Sequence, residues 1–199
     1  MEKMRESDVS VIIPAHNEAH NIEKMVSHIL ALYPDFEIIV IDDGSTDGTG
    51  ELAGEAGAIV YKHPYNIGNG AAIKSGIRIA SGQVLVFMDA DGQHDPADLD
   101  QLLQHFPEFD MVVGARPKGE QASKVRALGN RIYNRLASYV TNFSIQDLTS
   151  GFRAIKSDLA RNILYLLPNT YSYPTTLTLG MLRSGRSVKY VKINVQFRK

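Results

Sequence analysis

Residues 83–96 read QVLVFMDADGQHDP. The apolar run is short, which fits a strand buried on both faces. Yet it ends in Asp89, Asp91 and Asp95, three acids within seven positions. Carboxylates that close repel one another unless water, a cation or a phosphate-bound metal intervenes. While the chain stays extended, Asp89 and Asp91 point to one side. Two hard carboxylates there suit Mg2+ or Mn2+, with the remaining coordination left for water and phosphate oxygens. Asp95 and Pro96 form an N-cap and N1 pair for a helix running to about 105. Three other readings meet local objections. A calcium EF-hand loop wants Gly at its sixth position and Glu at its twelfth, where DADGQHDPADLD offers His94 and Asp100. A phosphatase with an Asp nucleophile needs its own acid–base and phosphate-holding residues around that Asp. An Asp-rich turn capping the next helix explains Asp95 but explains the Asp89/Asp91 pair poorly.

Working outward, the first two-thirds of the chain alternate strand and helix signals. VSVIIPA (9–15), EIIVIDD (37–43), AIVYKH (58–63) and DMVVGAR (110–116) are further strand runs. Ile22, Met25, Val26, Ile29 and Leu30 form one apolar helix face. Short helices are predicted around 46–56 and 69–80. Val- and Ile-rich strands separated by helices predict an α/β fold, a mainly parallel sheet with helices on both faces. Ligands of such sheets bind beyond the carboxyl ends of the strands. That rule brings Pro14–Glu18, Asp42–Asp43, Asn66–Gly70, Asp89–Asp91 and Arg116 to one rim. After 117 the pattern loosens into a helix at about 123–140, a loop and strand over DLTSGFRAIK (147–156), helices at 158–166 and 174–184, and a final strand in SVKYVKINVQF. The break near 117 reads as a change of role within a single domain spanning 1–199.

The 199-residue chain has 44% hydrophobic and 22% charged residues, ordinary values for a folded core. It has no Cys, which excludes disulfides, thiolate zinc sites and a Cys nucleophile and fits a reducing compartment. The charged start, MEKMRESD, shows no signal peptide. No apolar run approaches the roughly 20 residues that span a bilayer. The net charge of −1 hides an asymmetry. Residues 1–110 hold 6 Lys and Arg against 19 Asp and Glu, whereas residues 111–199 hold 15 against 3. An acidic half suits a metal, and a basic half suits a polyanion or an anionic membrane surface. No nucleic-acid partner is expected.

On the rim, Asp42 and Asp43 can accept N–H bonds from a nucleobase edge, or simply start a turn. The Gly-rich NIGNGAA (66–72) allows close approach of phosphate or ribose at a helix N-terminus, with Asn66 and Gly70 the nearest candidates. It matches neither a dinucleotide fingerprint nor a Walker loop.

With SVIIPAHNEAHNI, IDDGSTDGT, NIGNGAAIKSGIRIASG, FMDADGQHDP, GARPKG, DLTSGFRAI, YSYPTTLTL and the terminal FRK in colinear order, the sequence resembles family 2 glycosyltransferases of the GT-A fold. More narrowly it is similar to the dolichyl-phosphate mannose synthase and polyprenyl-phosphate glycosyltransferase branch. The resemblance implies that Pro14, Ala15, Glu18 and Asp43 embrace the base and ribose of a nucleotide sugar. Asp89, Asp91 and Gln93 would hold Mg2+ or Mn2+ against the diphosphate. Arg116, Arg131 and Arg198 match arginines around donor and acceptor phosphates. Asp147 matches a carboxylate near the acceptor, where it orients arginines, binds the cation or acts as a base. Asn69 stands where many relatives have Lys, and Thr176 and Thr178 stand where some mannose synthases carry Glu.

The implied activity is inverting, metal-dependent transfer of a hexose to a polyprenyl phosphate by one in-line displacement. The chemistry fits independently, since a hydroxyl acceptor needs a general base. A phosphate monoester is already anionic and needs positive charge, which the second half supplies. Without Trp the chain lacks the QxxRW motif of processive polysaccharide synthases. Rivals are a GT-A enzyme with a soluble or glycan hydroxyl acceptor, a nucleotidyltransferase, and a silent nucleotide-sugar-binding subunit. The chain stops at Lys199, where the resemblance predicts an acceptor loop and, in many relatives, membrane helices. The expected location is the cytoplasmic face of a membrane, reached peripherally or through an anchoring subunit.

Overall fold

The computed structural model describes residues 8–116, 135, 137–139 and 141–193. Seven strands form one sheet: β1 (Val9–Ala15), β2 (Glu37–Asp42), β3 (Ile59–Lys62), β4 (Val84–Phe87), β5 (Met111–Ala115), β6 (Arg153–Lys156) and β7 (Val188–Lys192). Their order is β3-β2-β1-β4-β6-β5-β7. β1 pairs in parallel with β2 and β4, whereas β6 runs antiparallel between β4 and β5. The sheet is therefore mainly parallel with one reversed strand. Strands from before and after residue 117 share it.

Period-two alternation divides the core. Val9, Val11 and Ile13 of β1 face one side with Val40 and Val86. There they meet α1 (Ala19–Leu32), α2 (Thr49–Glu55) and α4 (Leu99–Leu103). Ile12, Ile39, Ile41, Leu85 and Phe87 face the other side. They pack on α3 (Asn69–Ile79), α5 (Ser157–Asn162) and α6 (Tyr173–Arg183). Every residue of β1 is buried, as a strand covered on both faces requires. Of the predicted apolar stripe on α1, Ile22, Met25, Val26 and Ile29 are buried and Leu30 is half-buried at its edge. Each fully buried side chain of this size contributes about 1.5–3 kcal/mol. On the opposite face Gly76 lets α3 lie close on β1, since a Cβ there would come within 2.3 Å of Ile12 Cγ2.

The strand predicted over 83–91 shortens, and the helix predicted after Asp95 changes at its start. β4 ends at Phe87, and Ala90 and Asp91 lie in a turn. The helix after Asp95 opens as a 3-10 turn over Pro96–Asp98 before α4, and Asp95 caps it by accepting from Ala97 N at 3.0 Å. The predicted helix at 123–140 falls largely outside the described residues, as does the end of the last strand. The chain switches at β1, running out through β2 and β3 and then crossing to β4. The carboxyl ends of β1, β2 and β4 therefore open on one crevice.

Candidate active site

That crevice is a cleft of about 390 Å³. Its walls include Pro14 and Ala15 at the end of β1, Glu18 just beyond it, Asp43 after β2, and Asn66 before α3. Asp89 and Asp91 complete it after β4, so residues predicted from four separate stretches meet. The extended-chain reason for pairing Asp89 with Asp91 does not hold, because the turn at Ala90–Asp91 intervenes. The turn nonetheless leaves both carboxyls on the cleft.

Asp89 sits deep but open to the cleft. Burial, followed by the charge of Asp91, pushes it up to about 6, and Arg116 and Arg153 only partly offset this. No hydrogen bond reaches its carboxylate from the described residues. Gly151 packs so tightly on it that a Cβ would come within 2.5 Å of Asp89 Oδ2. A buried acid beside a second acid, with no donor to satisfy it, fits a hard divalent cation. Among the described residues no third acid or His joins the pair as a ligand group. Among the described residues the pair could therefore supply only part of a coordination shell. Gln93 is absent from the cleft wall, and what it contributes is its backbone N–H, given to Asp91 Oδ1 at 3.0 Å.

The two acids after β2 separate. Asp43 lines the cleft, yet its carboxylate organises a loop. Oδ1 lies 2.6 Å from His63 Nδ1 and accepts from Ile67 N at 2.9 Å, while Oδ2 accepts from Gly68 N at 2.8 Å. Burial alone would raise it, but the His63 bond and these two N–H groups hold it below the usual carboxylate range. Asp42 corrects the prediction of a nucleotide contact. It is fully buried away from the cleft, accepts from Ser45 N at 2.7 Å and pairs with Lys62 Nζ at 3.3 Å. Adjacent strand residues point to opposite faces, so only one of the pair could reach the ligand.

Gly70 corrects a second expectation. The glycines of NIGNGAA are approached by the chain itself: a Cβ on Gly70 would sit 2.1 Å from Pro168 O, and one on Gly68 2.4 Å from Asn169 O. Asn169 O accepts from Ala71 N at 3.2 Å, so backbone from 168–170 covers the N-terminus of α3.

Arg116 and Asp147 meet at the next strand end. Arg116 Nε reaches Asp147 Oδ2 at 2.8 Å, and Nη2 reaches Oδ1 at 3.0 Å and Thr149 Oγ1 at 2.8 Å. Thr149 N adds a bond to Oδ1 at 3.1 Å. Burial would raise Asp147, but Arg116 outweighs it and keeps the acid ionised. A carboxylate so supplied with donors is a poor base and a good orienting group. Arg116 Nη1 takes no partner among the described residues. Arg131 and Arg198 lie outside them.

Sequence reasoning missed Arg153. It is fully buried and donates to Ser150 O, to Pro174 O at 2.9 Å and to Thr178 Oγ1 at 3.0 Å. It ties β6, the loop against Asp89 and the start of α6 together, and its charge acts on Asp89. The signal was an Arg inside the apolar strand run FRAIK, directly opposite Phe87 in register. His94, buried and stacked on Phe152 at 4.9 Å, was likewise passed over.

Comparison with known proteins supplies the remaining observation. The model of glycosyl transferase family 2 matches residues 10–164. An undecaprenyl-phosphate mannosyltransferase of Micrococcus luteus is 30% identical over 93% of this chain and 82% of its own length. A polyprenol monophosphomannose synthase of Mycolicibacterium smegmatis is 32% identical over 92% of this chain and 75% of its own. The structure of glucosyl-3-phosphoglycerate synthase from Mycobacterium tuberculosis, with Mn2+, UDP and glucosyl-3-phosphoglycerate, superposes with a TM-score of 0.77. It covers 96% of this chain and 71% of that one at 21% identity, a likeness of fold alone.

Proposed function

The chain belongs to glycosyl transferase family 2, and from that premise we propose that it moves a hexose from a nucleotide sugar to a polyprenyl phosphate, inverting the anomeric centre. Residues 1–116 carry most of the donor side and residues 117–199 most of the acceptor side. Pro14, Ala15, Glu18 and Asn66 bound the nucleoside end of the cleft. Asp43 acts by holding the loop at Ile67–Gly68 in shape. Asp89 and Asp91 would hold Mg2+ or Mn2+, which when bound neutralises charge on the departing diphosphate.

The observation that carries the acceptor class is the state of Asp147. The carboxylate beside the expected acceptor is bidentate to Arg116 and held ionised with its lone pairs engaged. A hydroxyl nucleophile needs a free base at that point. A phosphate monoester needs a cation instead, and Arg116, aimed by Asp147, has Nη1 to offer. Relatives at about 30% identity named for polyprenyl-phosphate acceptors support the same class. Work at a membrane surface follows from that acceptor. Among the described residues no helix is long and apolar enough to cross a membrane.

The test offers labelled GDP-mannose or UDP-glucose with polyprenyl phosphate in detergent, and separately with 3-phosphoglycerate, followed by solvent partition. Label is expected in the organic phase, dependent on Mn2+ or Mg2+. Label transferred only to the soluble acceptor would refute the assignment.

A further inference from the structure

The segment 167–172, LPNTYS, crosses the molecule as a strap held at both ends. At one end Asn169 O takes the N–H of Ala71, and Lys74 Nζ reaches Leu167 O at 3.2 Å and also bonds Asn169 Oδ1. At the other end Tyr173 is buried with its ring edge-on to Phe87, centroids 6.2 Å apart. Phe87 is the last residue of β4, two positions before Asp89. Between these anchors Tyr171 is 82% exposed and lines the cleft. A large ring held bare on an anchored backbone beside the cleft can meet a ligand there.

Next to it on the same cleft stands Asn69, whose Oδ1 is buried and has no hydrogen-bond partner among the described residues. An unmet buried acceptor is costly unless a ligand supplies the donor. A diphosphate has no flat face and donates nothing, so it would leave the ring face and the lone acceptor unused. They match a nucleoside, which has a flat aromatic face and N–H or hydroxyl donors. Asn69 follows directly on the loop that Asp43 shapes through Ile67 and Gly68, at the start of α3.

We propose that Tyr171 covers the nucleoside of the bound donor, its ring stacked on the base, while Asn69 Oδ1 accepts from the base or ribose. This rests on the cleft being the donor site. The two close glycines then have a purpose: Gly68 and Gly70 let the strap lie low enough to bring Tyr171 over the cleft.

Calorimetry with Mn2+ and GDP, UDP, the matching nucleotide sugars and inorganic pyrophosphate tests the assignment. Tyr171→Ala should bind the preferred nucleoside diphosphate and its sugar nucleotide about tenfold more weakly, the usual scale for loss of base stacking. Its binding of pyrophosphate should not change, Tyr171→Phe should stay within about twofold of wild type, and both variants should keep the wild-type melting temperature. Unchanged nucleotide affinity in Tyr171→Ala, or a loss confined to the sugar nucleotide, overturns the nucleoside assignment and leaves the donor site standing. A wild-type protein that binds none of these nucleotides overturns both.

Discussion

Replacing Asp89 with Asn should lower transfer by about two to three orders of magnitude, yet make the metal-free protein more stable at neutral pH. Burial and Asp91 raise Asp89 to about 6 from an ordinary 3.8. An acid whose folded pKa lies above its unfolded one destabilises the fold wherever it is ionised. The cost is fully present above about 6, shrinks as pH falls through the interval and is gone below about 4. At neutral pH it amounts to about 1–3 kcal/mol once screening in the open cleft is allowed for. In a chain of this length each kcal/mol shifts the midpoint by about 2–4 °C. Melting wild type and Asp89→Asn in chelator from pH 4 to 8 should give curves that coincide at the acid end. The variant should pull ahead by several degrees at the alkaline end. A variant that melts lower at every pH would show that Asp89 is a structural residue and not one kept costly for a ligand.

The second large effect belongs to Arg153. Arg153→Ala removes the donors of Ser150 O, Pro174 O and Thr178 Oγ1 in a fully buried place and leaves a cavity. Losing one side of such a network costs about 3–5 kcal/mol, a fall of about 6–20 °C in the melting midpoint. Arg153→Lys keeps the charge but cannot fork to three acceptors, so it should fall between the two. Urea unfolding at neutral pH measures both. A loss below about 1 kcal/mol for Arg153→Ala would mean that the three acceptors are satisfied without it. Catalysis should suffer as well. Arg153 fixes the Ser150–Gly151 turn against Asp89, and its charge is one of the two that lower that acid.

Most of the architecture was legible because it is written in short-range pattern. Continuous apolar strands, the stripe on α1 and the Asp95–Pro96 cap are local signals, and all appear where expected. Gathering the strand-end residues on one rim needed only the rule for parallel sheets. What escaped depends on contacts distant in sequence. Gly68 and Gly70 announced a close approach, but spacing cannot say that the visitor is backbone from 168–170 and not a phosphate. Asp42 and Asp43 are identical side chains one residue apart, and only the pleat decides which faces the cleft. Arg153 looked like an ordinary strand residue because its three acceptors come from two other segments. Thr178, noted only as a departure from Glu, proves to be one of those acceptors. Asp147 left three roles open, and the bidentate contact with Arg116 on its carboxylate could not be read from sequence.

Asp89 and Asp91 are proposed as only half of a metal site, with the donor diphosphate supplying the rest. Mn2+ titrated calorimetrically into metal-free protein, alone and with saturating nucleoside diphosphate, addresses it most directly. After correction for the Mn2+–nucleotide complex in solution, the cation should bind weakly alone. With the nucleotide it should bind about tenfold or more tightly, and the nucleotide should gain by the same factor from Mn2+. Equal Mn2+ affinity with and without nucleotide, or nucleotide binding indifferent to chelator, would contradict the claim.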